Sequence, residues 1–155
     1  MIACTWTAAQ GLGLVRLYHA ESSEPDTLSA REERLVQQLS VRPGAPAAWL
    51  SLAVVRHGLG EPQEKIDAAF MMSSVTGPAE GAVMSERALL GLLLWESSSV
   101  DVQARTMTDL CGLTVFDPWK LRLVMTTKTA AVQAALRAGL EAQGCTPALI
   151  RNVGL

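Results

Sequence analysis

Along the chain, apolar residues recur at spacings of three and four, in stretches separated by short breaks of Gly, Pro and Ser. This is the period of helices that bury one face, and no segment shows the sustained alternation of apolar and polar residues that marks a strand. The pattern predicts an all-α fold. Ser29 and Glu32 have the spacing of a capping box, and Leu35, Val36 and Leu39 supply the apolar face of the helix that follows, with an end near Ser40 ahead of Pro43 and Gly44. Pro46 fits the first turn of a second helix, which carries Trp49, Leu52, Ala53 and Arg56 and ends at Gly60. Pro62 restarts the chain as a helix with Ile66, Ala69, Phe70 and Ser73 on one face, an exposed Glu61 and Lys65 pair, and a left-handed Gly77 followed by Pro78 as its stop. The connections are short, so these two helices lie antiparallel and Trp49 and Leu52 meet Ile66 and Phe70.

The next helix runs from Pro78 or Ala82 to Trp95, and its second half, LLGLLLW, is apolar all round, which places it at the centre of the fold. Ser97, Ser98 and Ser99 break it. Val100, Ala104, Met107 and Cys111 then mark a helix started by one of those serines and ending at Gly112, with Cys111 along its apolar face, and Asp117 with Pro118 starts another that carries Leu121, Val124 and Met125. Thr129 can cap a fresh helix, so residues 117–143 are one bent helix or two, with Val132, Ala135, Leu136 and Leu140 inward.

Residues 1–20 form a separate apolar segment, a helix or a membrane-associated stretch. Met1 to Val15 holds no charge, yet a spanning helix needs about 20 apolar residues. The open readings are a helix packed on the domain, an interfacial anchor or an export signal, and possible membrane contact is assigned to residues 1–19. A polar linker, AESSEPD, separates this run from a helical domain over 27–143, and a tail over 144–155 lies against the body.

Composition then narrows the functional classes. At 155 residues and 49% hydrophobic, the chain has apolar material for one packed domain. Thirteen basic and fifteen acidic residues, a net charge of -2, provide no basic face for nucleic acid, and no nucleic-acid partner is expected. Cys4, Cys111 and Cys145 are odd in number and lack metal-pair spacing; no disulfide framework follows from them, and Cys111 reads as a buried, inert thiol. His19 and His57 have no second ligand at helical spacing, and His57 sits at a helix end where the dipole favours a cation. Glu64 and Asp67 share a helix face but read as solvated, as do Lys120, Arg122 and Lys128. Gly11 and Gly13 lack the remainder of a phosphate loop. No catalytic, metal or cofactor constellation is expected. A mean hydropathy of +0.22 leaves apolar surface for a partner.

Residues 42–78, RPGAPAAWLSLAVVRHGLGEPQEKIDAAFMMSSVTGP, resemble one tetratricopeptide (TPR) repeat, a helix-turn-helix unit of about 34 residues. Trp49, Leu52 and Ala53 match its bulky, leucine and small positions, and Gly60 matches the turn glycine. Ile66, Phe70, Ser73 and Pro78 keep the expected order, one residue late. Arg56 stands where an aromatic is usual, and Ser73 replaces a small apolar residue. The resemblance implies antiparallel helical hairpins, TPR-like or an irregular helical bundle, that bind a protein partner through Trp49, Leu52, Arg56, Ile66 and Phe70. The implied role is a non-enzymatic adaptor or accessory subunit, by analogy one of a bacterial envelope or secretion assembly, with a protein partner or a homo-oligomer. The alternative expectation is a structural subunit of a large multi-copy particle.

Overall fold

A computed structural model describes residues 27–113, 118–152 and 154–155, and every regular element among them is helical. The helices are α1 (Leu28–Val41), α2 (Pro46–Leu59), α3 (Gln63–Thr76), α4 (Gly81–Leu93), α5 (Val100–Gly112), α6 (Pro118–Met125), α7 (Ala130–Ala142) and the six-residue α8 (Pro147–Asn152). Sequence neighbours pack as hairpins, as the apolar spacing predicts. The chain divides after Thr76 into two compact units. The segment 1–20, with its membrane readings and His19, lies outside the described residues.

In the first unit, α1 and α3 both pack against α2. The consequence is visible in α2, where every residue from Leu50 to Val55 is buried, Ser51 included. A helix flanked on two sides has no polar face to keep, which is why its sequence is apolar nearly all round. Local chemistry sets its ends: Pro46 occupies the first turn, where a missing amide costs nothing, and Gly60 closes it in the left-handed conformation at φ 71°. The start of α1 differs from expectation. Thr27, not Ser29, is the cap, and its Oγ1 accepts from the Ala30 amide at 3.2 Å. Ser29 lies inside the helix, which frees Glu32 for another partner. Leu39 is the buried residue of α1, whereas Val36 is exposed. Nor is Gly77 a left-handed stop: the described glycines with positive φ are Gly60, Gly144 and Gly154.

The second unit is built on the α4–α5 hairpin, with α6 against α4, α7 against α5 and α8 against α7. Ala88, Leu92, Trp95, Leu110, Leu121, Leu136 and Leu140 belong to one hydrophobic cluster. The contiguous apolar run of α4 fills it, as expected from a helix without a polar face. Ser99 and Thr129 cap α5 and α7 through the amides of Val102 and Val132, so residues 118–142 form two helices. Leu121, Val124 and Met125 are buried together, while Ala135 is exposed. Where α4 and α5 cross, Gly91 faces Thr106 so closely that a Cβ at position 91 would overlap the threonine side chain. Only glycine permits that approach. The buried face of α5 is Val102, Thr106, Asp109 and Leu110, and Val100 and Ala104 are exposed. Apolarity alone points the helix in the wrong direction because its most buried side chains include a carboxylate.

Candidate functional site

The residues assigned to partner binding lie on α2 and α3, and the hairpin brings them together in the first unit. Leu52, Ile66 and Phe70 are interior residues, each no more than 2% exposed. A partner meeting the closed hairpin therefore reaches Trp49 and Arg56 before it reaches these three. Trp49 is half-buried, and its Nε1 donates to the Pro43 carbonyl at 2.7 Å, which ties the ring to the turn that precedes α2. Arg56 has a structural explanation where the repeat pattern has an aromatic. Its Nε donates to Glu32 Oε1 of α1 at 2.9 Å, and its Nη1 donates to the Lys65 carbonyl of α3 at 3.2 Å. One guanidinium, with several donors in a fixed plane, thus links all three helices of the unit.

Other polar side chains described in this unit make short-range contacts. Lys65 pairs with Glu61 at 2.7 Å across one helical turn, and Gln63 Nε2 donates to Asp67 Oδ1 at 2.7 Å, while Glu64 is exposed. Burial lowers the pKa of His57 below its ordinary value of 6.5. The shift runs opposite to the one that position at the end of the helix suggests, and its cause is desolvation.

Three features of the second unit are either absent from the sequence reading or differ from it. The first is a charge network. Arg87 on α4 and Asp109 on α5 are fully buried; Arg87 Nε and Nη2 donate to Asp109 Oδ2 and Oδ1 at 2.6 and 2.9 Å, and Nη1 donates to the Gly77 carbonyl at 3.2 Å. Arg105, one turn before Asp109, places Nη2 2.8 Å from Oδ1 and also donates to the Pro78 carbonyl at 2.7 Å. Beside the network is a cavity of about 380 Å³, bounded by Pro78, Gly81, Met84, Arg105, Asp109 and Leu113 among others. Two guanidinium groups occupy both oxygens of Asp109, so this carboxylate is committed to holding α4, α5 and the chain before α4 in register. The Nε of Arg105 is buried and unpartnered beside it.

The second feature is Lys128. Its side chain is only 6% exposed, and its Nζ donates to the Leu93 carbonyl at the end of α4, at 3.2 Å, with Glu96 3.8 Å away. Burial lowers its pKa, and the Glu96 charge partly offsets this. Lys128 is thus a buried helix-end donor and does not belong to a solvated basic face, whereas Arg122 is exposed.

The third feature is a disulfide between Cys111 and Cys145, with Cα atoms 5.3 Å apart and a sequence separation of 34. Cys111, expected as an inert thiol, is covalently committed. In the chain-entropy account, a cross-link closing a loop of this length removes about 4 kcal/mol of freedom from the unfolded chain. Among the described residues, no group of three or more His, Cys, Asp or Glu side chains is placed to hold a metal ion. No described helix is long and apolar enough to cross a membrane. Compared with known protein families, with curated proteins and with solved structures, the chain matches none.

Proposed function

We propose that this all-helical chain is a non-enzymatic protein-interaction adaptor or accessory subunit. The observation that carries the reading is apolar surface on the helices flanking α2. Val36 and Val41 on α1 are 47% and 77% exposed, and Met72 and Val75 on α3 are 36% and 70% exposed. Four large apolar side chains on two helices of so small a unit are surface that another molecule can cover. Trp49 and Arg56 extend the binding surface along the hairpin, with Leu52, Ile66 and Phe70 supporting them from inside. The resemblance to a TPR unit adds the finer proposal of an accessory role in a bacterial envelope or secretion assembly, with residues 1–19 as a membrane contact. The Cys111–Cys145 disulfide favours an oxidising compartment, which such a setting provides.

The test is association of the purified full chain, alone and with candidate envelope proteins, by light scattering and pull-down. Val41→Glu and Val75→Glu place charges on the exposed apolar positions without entering the interior. The expected result is a complex or oligomer that both substitutions weaken while helical content is retained. A wild-type chain that remains monomeric and captures no candidate overturns the proposal. Val100 and Leu123 of the second unit, 76% and 55% exposed, favour a second reading, a structural subunit of a multi-copy particle. That reading predicts many equivalent copies rather than a fixed small stoichiometry.

A further inference from the structure

We propose that Cys111–Cys145 is a thiol–disulfide exchange site, acted on by a dithiol–disulfide partner, and that it latches residues 145–155 onto the second unit. Cys111 lies in the last turn of α5, and Cys145 follows the left-handed Gly144 that ends the turn after α7. The bond therefore joins a packed helix to the first residue of the C-terminal segment. Beyond Cys145, the buried anchors described are Ile150 and, in part, Leu155, both against the cluster that contains Leu136 and Leu140. The Cys145 amide donates to the Leu140 carbonyl of α7 at 3.0 Å, and beyond it the amides of Ile150, Gly154 and Leu155 donate to Thr146, Arg151 and Ile150, within the segment itself. A six-residue helix is too short to persist in water without packing, so α8 depends on docking. The chain already holds the start of the segment beside α7, and the cross-link adds a second tether, to α5, that favours docking over the site.

Access to the bond is unequal, because Cys111 is partly exposed and Cys145 is buried. A thiolate of a reducing dithiol attacks the Cys111 sulfur, the bond to Cys145 breaks, and Cys145 leaves as a thiolate that takes a proton. The second thiol of the reductant then attacks the mixed disulfide, which releases Cys111 as a thiol and leaves the reductant as a disulfide. Two electrons and two protons pass to the cystine. An oxidising partner runs the same steps in reverse and closes the latch. On opening, Ile150 and Leu155 leave the cluster and its apolar side chains become available.

Hydrogen exchange of the full chain, read by mass spectrometry with and without dithiothreitol, tests this. A Cys4→Ser background keeps the third thiol out of the exchange. The native protein should yield a cross-linked peptide joining Cys111 to Cys145. Reduction should raise exchange over 145–155 by about tenfold or more, with 28–76 and α4 and α5 unchanged, and reoxidation should reverse it. The double variant Cys111→Ala, Cys145→Ala should show the open pattern without reductant. The proposal is overturned by absence of the cross-linked peptide or by unchanged exchange over 145–155. Loss of protection throughout 77–155, in the reduced protein or the double variant, also overturns it, because the bond would then hold the whole unit rather than one segment.

Discussion

Arg87 and Asp109, twenty-two positions apart on α4 and α5, form a two-bonded ion pair in which neither side chain has any solvent exposure. Their charges neutralise each other within a hydrophobic hairpin, with the Gly77 carbonyl and Arg105 taking up further donors and acceptors. Removing one partner strands the other in a medium of low polarity. Asp109→Leu or Arg87→Met alone should destabilise the protein by about 3 to 5 kcal/mol, and the double substitution by distinctly less than the sum. Urea unfolding followed by circular dichroism checks this. Additive losses would mean that the pair is not the coupled unit described here.

A second interhelical contact depends on the lack of a side chain. At Gly91, a Cβ would fall on the side chain of Thr106. Gly91→Ala should therefore cost about 1 to 3 kcal/mol despite the better helix propensity of alanine. Thr106→Ala in the same chain should recover part of the loss, because it removes the hydroxyl and methyl that the new Cβ meets. A thermodynamic cycle over the four proteins measures the coupling; zero coupling would place the cost elsewhere.

The parts of this fold that are legible in the sequence are those fixed by local chemistry. Pro46, Gly60 and Thr129 act within one turn of their own positions, and LLGLLLW needs no distant partner to declare itself buried. Hydroxyls close in sequence are harder to separate: Ser29 has the capping-box spacing, yet Thr27, two residues earlier, is the cap, which only the observed helix start reveals. Arg87 and Asp109 are illegible for a different reason. Each alone reads as surface, and their burial follows from being opposite one another on two helices. The same holds for Cys111 and Cys145, whose pairing depends on how α5 and α7 pack, and for Arg56, whose acceptors come from α1 and α3.

His57 makes stability sensitive to mild acid. Its pKa in the folded chain lies below the ordinary 6.5 because burial disfavours the imidazolium. Below about pH 6.5 the unfolded chain takes up a proton that the folded chain resists, so stability falls as pH drops through that window. His57→Gln should remove this component. The expected result is a smaller decrease in urea midpoint for the variant than for the wild type between about pH 7.5 and 5.5. Equal slopes would show that His57 is protonated alike in both states.

Lys128 presents the same problem at higher pH, a cation whose burial costs more than its neighbours return. Its pKa is lowered by desolvation even though Glu96 acts in the opposite direction, and its Nζ has the Leu93 carbonyl as acceptor. The folded state therefore resists a proton that the unfolded chain holds up to about pH 10.4, and stability should rise as pH increases from neutrality toward that value. Lys128→Met keeps the long apolar stem, removes the buried charge and leaves one helix-end carbonyl without its donor. These changes oppose each other, so at neutral pH the substitution should lie within about 1 kcal/mol of the wild type. Lys128→Ala, which also empties the space the stem fills, should cost more. The distinguishing measurement is the pH slope between about 8 and 10, where the methionine variant should lose the alkaline gain of the wild type. A slope retained in full would mean that Lys128 titrates as an exposed lysine and that its buried position at the end of α4 is not populated in solution.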